Sequence, residues 1–170
     1  PMIDELLYSF NIEDALKNIK KPLMKECLNQ KTNLNEKTSY NFEVCSKYTN
    51  YLYDIFYNIS KVNLNTFSLK DVNFKMWAYV TDKDYSKSQW HNHKSTSSIN
   101  CVLYLKTQNK GITFQYQNQK KHLLPKDNVM LIFPSFLDHL PDVSKNKPRI
   151  TLNLELRCNE SVESIFKLNL

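Results

Sequence analysis

Residues 88–98 read SQWHNHKSTSS and place His91 and His93 one residue apart, directly behind Trp90. Neutral imidazole is the commonest protein ligand for metal ions. In an extended segment, side chains at i and i+2 leave the same face. His91 and His93 would then offer two nitrogens to one ion while Trp90 and Asn92 point away. The competing reading is a solvated loop rich in Ser, Asn and Lys. A site needs a third ligand, and His139 in FPSFLDHLPDV is the candidate. It follows the apolar run VMLIFP and is expected in a turn above the mouth of the core. The adjacent Asp138 is a weaker candidate, and His122, among the lysines of QKKHLLP, is expected at the surface. Imidazole suits iron, zinc, copper and nickel alike, so these residue types indicate a metal without choosing it.

Ten residues beyond His139 begins RITLNLEL, residues 149–156. Ile150, Leu152, Leu154 and Leu156 alternate with Arg149, Thr151, Asn153 and Glu155, the pattern of a strand with one apolar and one polar face. The polar face looks into solvent or into a polar cavity. In the second case Arg149 is the natural partner for a carboxylate, because its planar fork meets two oxygens at once.

The elements that must position these residues follow from the rest of the chain. A length of 170 residues fits a single domain. The hydrophobic share of 41%, with nine Phe and ten Tyr, supports a packed interior rather than a disordered chain. Gly111 is the only glycine, which excludes both GxGxxG and GxxxxGK[ST] phosphate loops. No apolar run approaches the ~20 residues of a membrane span, and no signal-peptide pattern is visible. Cys27, Cys45, Cys101 and Cys158 lack CxxC spacing, which points to a reduced, cytoplasmic chain. A net charge of +6 permits an acidic partner, but the basic residues are spread along the chain.

Residues 1–66 read as mainly helical support. Asn11 is a plausible N-cap for residues 12–30, where Ile12, Ala15, Leu16 and Ile19 recur at helical spacing and Pro22 predicts a break or kink. Residues 41–62 predict a second helix with Val44, Tyr48, Tyr51, Leu52, Ile55, Phe56 and Ile59 on one stripe. From residue 67 the period becomes two, predicting strands at about 73–80, 89–93, 98–106, 111–117, 120–124, 129–133 and 149–156. Residues 67–157 thus form a β core, with 158–170 as a tail. The fold class is α+β, a β-barrel core buttressed by helices.

Five pieces in order, MWAYV, WHNH, VLYLK, FPSFLDH and RITLN, carry a resemblance over roughly residues 73–153. The segment resembles the Fe(II)- and 2-oxoglutarate-dependent oxygenases, which share a double-stranded β-helix (jelly-roll, cupin-like) core. It is most similar to a subgroup of marine bacteria and their phages with the pattern HxH…H…RxS/T. The resemblance implies that His91 and His139 bind iron, and that Arg149 and Thr151 bind the distal carboxylate of 2-oxoglutarate. It implies further co-substrate contacts from the strand holding Asn100 and Tyr104. The implied reaction uses O2 and 2-oxoglutarate to hydroxylate a C–H bond, for which a protein residue such as proline is the preferred target, and releases succinate and CO2. Two positions depart from the pattern. His93 stands where most of the superfamily carries a carboxylate, which leaves its role as ligand or supporting residue open. Asn100-Cys101 replaces the subgroup's Ser-Gly. Trp77, Tyr79 and Tyr104 are either pocket walls or core aromatics.

Two other readings remain. One is a cupin-type enzyme using His91, His93 and His139 without 2-oxoglutarate, although KSTSSI after the histidine pair lacks the glutamate usual in cupins and Arg149 is left without a role. The other is a basic β-domain that binds nucleic acid or a virion partner, for which no recognition motif is present.

Overall fold

The structure, a computed structural model, describes residues 1–33, 41–70, 73–83 and 87–168. Two antiparallel sheets face each other. The larger has six strands in the order β1-β7-β4-β9-β3-β2: β1 Tyr8–Asn11, β2 Asn41–Glu43, β3 Met76–Thr81, β4 Ile99–Lys106, β7 Val129–Pro134 and β9 Arg149–Leu156. The smaller contains β5 Ile112–Tyr116, β6 Gln119–Leu123 and β8 Asp138–Pro141 in the order β6-β5-β8. Helices α1 Glu13–Leu16, α2 Lys20–Asn33, α3 Thr49–Asn63 and α4 Val162–Ile165 complete an α+β jelly roll with helical support.

Alternation along the strands creates two separate cores. One face of the large sheet presents Met76, Ala78 and Val80 of β3, the odd positions Ile99 to Leu105 of β4, and all four even positions of β9. These pack on Leu16, Leu23 and Cys27 from the first helices and on Leu52, Tyr53 and Phe56 from α3. The opposite face meets the small sheet through Tyr104, Leu131 and Phe133 against Ile112 and Phe114. Burying a Leu, Ile or Phe side chain contributes roughly 1.5–3 kcal/mol. The polar face of β9 is therefore held inside the molecule by apolar contacts on both layers. Arg149, Thr151 and Asn153 are all buried.

The helical expectations hold in outline. Of the expected stripe, Ile12 and Leu16 are buried and Ala15 and Ile19 half-buried against the same core, which Leu23 and Cys27 continue on α2. The break falls before Lys20, and Pro22 sits in the first turn of α2, where a missing N–H costs nothing. Asn11 accepts the Glu13 amide at 2.9 Å while itself closing β1, an edge strand whose four residues escaped the sequence pattern. The second helix starts later than expected, at Thr49, because residues 41–43 pair with β3. Its buried face is Leu52, Tyr53, Phe56 and Ser60, so Tyr51 turns outward and donates its hydroxyl to the Ala15 carbonyl.

Two corrections concern the site. Residues 89–93 do not form a strand; only His91 bridges another segment. His139 lies not in a turn but within β8, paired with Phe114. A four-residue strand interrupted by polar residues leaves little periodicity to read. Among the described residues no helix is long and apolar enough to cross a membrane. All four cysteines are free thiols.

Candidate metal centre

His91 and His139 come together through backbone pairing. Each amide donates to the other's carbonyl, at 3.0 and 2.9 Å, so the two residues form a hydrogen-bonded antiparallel pair on the edge of the small sheet. His93 is fixed two residues on by its amide bond to the Ser135 carbonyl at 2.8 Å, and its own carbonyl accepts from Thr96 and Ser97. The three imidazoles each present a nitrogen within 4.8 Å of the others. His93 Nε2 lies 3.3 Å from His139 Nε2. Two nitrogens bound at about 2.1 Å to one ion stand roughly 3.0–3.4 Å apart in octahedral or tetrahedral geometry, so this spacing fits a shared metal.

The hydrogen bonds also select the tautomers. His91 Nδ1 faces the Gln89 carbonyl at 2.8 Å, His139 Nδ1 the Leu137 carbonyl at 2.9 Å, and His93 Nδ1 a Glu155 oxygen at 2.8 Å. Carbonyl and carboxylate oxygens only accept, so each Nδ1 carries the proton and each Nε2 keeps its lone pair. Three lone pairs directed into one space repel one another unless a cation lies between them. Burial holds His91 below its ordinary pKa, with the His93 charge adding to this and the Gln89 bond opposing it. Burial likewise pushes His139 well below the usual histidine range, reinforced by the charges of His91 and His93. Neutral imidazole is the ligating form. Phe114 and Phe133 flank the His139 ring at centroid distances of 5.9 and 5.2 Å, and Tyr79 lies parallel to His91 at 6.2 Å.

The same cavity continues from the histidines to Arg149, Thr151 and Asn153. Arg149 is 1% exposed, yet no ion pair holds it among the described residues. One of its nitrogens, Nη2, donates to the Gly111 carbonyl at 3.0 Å, and its guanidinium lies 5.6 Å from the Tyr104 ring centre. Arg149 Nε, the Tyr104 hydroxyl and Asn153 Oδ1 are buried without protein partners. A buried cation beside an unpaired hydroxyl is costly unless an anion completes it. The unpartnered Arg149 Nε and Tyr104 hydroxyl thus fit an anion in this cavity.

Of the residues singled out from the sequence, His91, His93, His139, Arg149, Thr151, Tyr79 and Tyr104 line this one cavity. Asn100 shares the inward face of β4, with both amide atoms unpartnered, but does not line it. Trp77 is 37% exposed and also stands outside the lining. Asp138 is turned away and accepts from the Asn92 amide at 2.8 Å. His122 is at the surface, bonded to Asp142 at 2.8 Å. Two contributors escaped the site assignment, Asn153 and Glu155. Both sit on the polar stripe that had drawn attention to Arg149 and Thr151, and extending that stripe would have found them.

No family model matches the chain, and no curated protein matches it in sequence. Solved structures do match. A prolyl-4-hydroxylase from Pseudomonas putida superposes with a TM-score of 0.61 at 13% identity, over 91% of this chain and 93% of that one. A prolyl 4-hydroxylase from Phytophthora capsici gives 0.63 at 13% identity, over 92% of this chain and 60% of that one. The non-heme alpha-ketoglutarate-dependent carbocyclase SnoK of nogalamycin biosynthesis gives 0.61 at 6% identity, over 91% of this chain and 81% of that one. At such identities the likeness is one of fold. The chain has the double-stranded β-helix architecture of 2-oxoglutarate–Fe(II) oxygenases, with an HxH…H cluster inside it.

Proposed function

We propose that this chain is an Fe(II)- and 2-oxoglutarate-dependent dioxygenase that hydroxylates a C–H bond of a bound substrate. The observation that carries the reading is one cavity with three convergent imidazoles at one end and a buried, unpaired arginine at the other. The prolyl hydroxylases among the structures of similar fold favour a protein or peptide residue, such as proline, as the target. Iron and 2-oxoglutarate, when bound, supply with O2 the oxidising power and release succinate and CO2.

The residues divide the remaining work. His91, His93 and His139 would hold the metal through their convergent ring nitrogens. Arg149 would receive the distal carboxylate of 2-oxoglutarate, with the Thr151 hydroxyl from the same strand and the Tyr104 hydroxyl from neighbouring β4 as further partners. Phe114 and Phe133 keep water from the buried side of His139 and strengthen every polar contact made there.

Anaerobic titration with Fe(II) and 2-oxoglutarate tests the reading, with a weak visible charge-transfer band as the expected result. Arg149→Ala should remove the band at the same 2-oxoglutarate concentration. A band that survives the substitution unchanged overturns the assignment of Arg149. Metal binding without any band favours a cupin-type reaction that does not use 2-oxoglutarate. Succinate release measured against a panel of peptides, free amino acids and DNA then identifies the substrate class.

A further inference from the structure

We propose that Glu155 is the positioning residue of this metal centre. Its carboxylate takes the Nδ1 proton of His93, aims that ring's Nε2 at the ion, and supplies negative charge one hydrogen bond behind a ligand set that has none. The inference rests on the reading of the three histidines as metal ligands.

The three imidazoles are not held alike. His91 and His139 give their Nδ1 protons to the backbone carbonyls of Gln89 and Leu137. His93 alone gives its proton to a carboxylate, at 2.8 Å, with side chains 11% and 21% exposed. A charge-assisted hydrogen bond of this kind is about twice as strong as a neutral one. It also makes the opposite ring nitrogen a better donor to a metal. That nitrogen is the one 3.3 Å from His139 Nε2.

Glu155 is itself held in place. Thr96 Oγ1 lies 3.2 and 3.3 Å from its two oxygens, within the turn that follows His93. Its amide donates to the Tyr53 hydroxyl at 3.0 Å, and that hydroxyl donates to the Lys75 carbonyl. Two hydrogen-bonded neighbours, β4 and β3, fix the strand that carries it. Three neutral imidazoles leave a divalent ion with its full double charge, which a carboxylate ligand would have reduced by one. Glu155 offsets that charge through the His93 ring without occupying a coordination position. The Thr96 contact shows what a merely structural Glu155 would do, namely close the turn after His93.

Co(II) titration of the metal-free full chain, by calorimetry and visible absorption, separates the roles. Glu155→Ala should weaken Co(II) binding by about 10–100-fold and shift the d–d bands. Glu155→Gln keeps a carbonyl for the Nδ1 proton but not the charge, so its affinity should fall between alanine and wild type. Thr96→Val removes one contact that holds Glu155 but keeps the carboxylate, so it should weaken Co(II) binding less than Glu155→Ala; an effect as large as that of Glu155→Ala would make the turn, not the carboxylate, responsible. A folded Glu155→Ala protein with wild-type affinity and bands overturns the proposal. If the alanine variant does not fold, wild-type affinity and bands in Glu155→Gln overturn it equally. Failure of the wild-type chain to bind Co(II) overturns the metal-site reading itself.

Discussion

Arg149→Met should leave the ligand-free protein about as stable as the wild type, while abolishing its response to 2-oxoglutarate. The guanidinium is 1% exposed, has one bond to the Gly111 carbonyl and leaves Nε unpartnered. Replacing a buried ion pair by apolar side chains of similar volume is commonly neutral or stabilising by roughly 1–4 kcal/mol, and a buried cation without an ion-pair partner has less Coulomb energy to lose. Against this stand the loss of the Tyr104 ring contact, about 0.5–2 kcal/mol, and of one hydrogen bond. The Gly111 carbonyl does not become an orphan, because the Asp142 amide also donates to it, at 2.9 Å. With each term near the middle of its range the gain and the losses nearly cancel, leaving a balance of about 0 kcal/mol.

For a domain of this size each kcal/mol moves the melting temperature by roughly 2–4 °C, so the ligand-free variant should melt within a few degrees of the wild type. The wild type at a hundredfold excess of 2-oxoglutarate over Kd gains about 2.7 kcal/mol, a rise of roughly 5–10 °C. Thermal melts with Mn(II) in place of Fe(II), with and without 2-oxoglutarate, read both quantities. A ligand-free Arg149→Met protein destabilised by more than about 2 kcal/mol would mean that the arginine is satisfied within the fold, contrary to the isostere argument. Persistence of the 2-oxoglutarate shift would remove the arginine from the co-substrate site.

The other predictions are simpler. His139→Ala and His93→Ala should both lose bound metal completely, measured as metal content of the purified proteins, since each contributes one of two nitrogens 3.3 Å apart. Retention in His93→Ala alone would make His93 a supporting residue. Chelator-treated protein should lose stability as the pH falls below about 6.5, the value for unfolded histidine. His91 and His139 have depressed folded values, so the unfolded state binds more protons in that window, with a maximal slope of about 1.4 kcal/mol per pH unit for each histidine. Asp142, also depressed below its ordinary value, adds a loss only once the pH nears the unfolded carboxylate range. Denaturant titrations at pH 5.5 and 7.5 check this, and equal stability at both refutes it. Gly111→Ala should destabilise by on the order of 3 kcal/mol in the same assay, because a Cβ there would stand 1.7 Å from the Leu123 carbonyl oxygen.

The sequence was most legible where one physical rule acted alone. Strict alternation in RITLNLEL forecast both faces of β9, since a strand between a helical layer and a second sheet must sort its side chains in this way. The spacing of Ile12, Ala15, Leu16 and Ile19 forecast an apolar stripe for the same reason, and Ile12 and Leu16 are its buried members. Legibility failed where non-local pairing overrode local pattern. Asn41–Glu43 continues a helix-like run, yet bonds to β3. His139 lies on a strand because Phe114 and His91 sit on either side of it. The position of His93 could not be read as ligand or support, because the carboxylate that orients it comes from a strand far along the chain. Of the strand expected at 89–93, a single bridge between His91 and His139 remains, and that bridge suffices to place the pair.

The arrangement assigns the site's two anchors to one rigid element. Arg149 at the start of β9 lines the cavity, and Glu155 near its finish accepts the Nδ1–H hydrogen bond of His93. A slip of one residue would turn both outward and bury Ile150, Leu152 and Leu154 in the cavity, so the register of β9 is also the register of the site. That register is enforced from both edges, by β3 from Met76 to Thr81 and by β4 from Ile99, with an irregularity only between Tyr104 and Lys106. A bulge bends a strand and re-aims its side chains. Here it falls beside Thr151 and Ile150, where Tyr104 is brought over Arg149. The apolar contacts of β9 with the helices therefore do more than stabilise the chain. They hold a buried cation and a carboxylate in fixed relation, which a loop-borne pair could not maintain, and so let the cavity keep polar groups that the fold alone would expel.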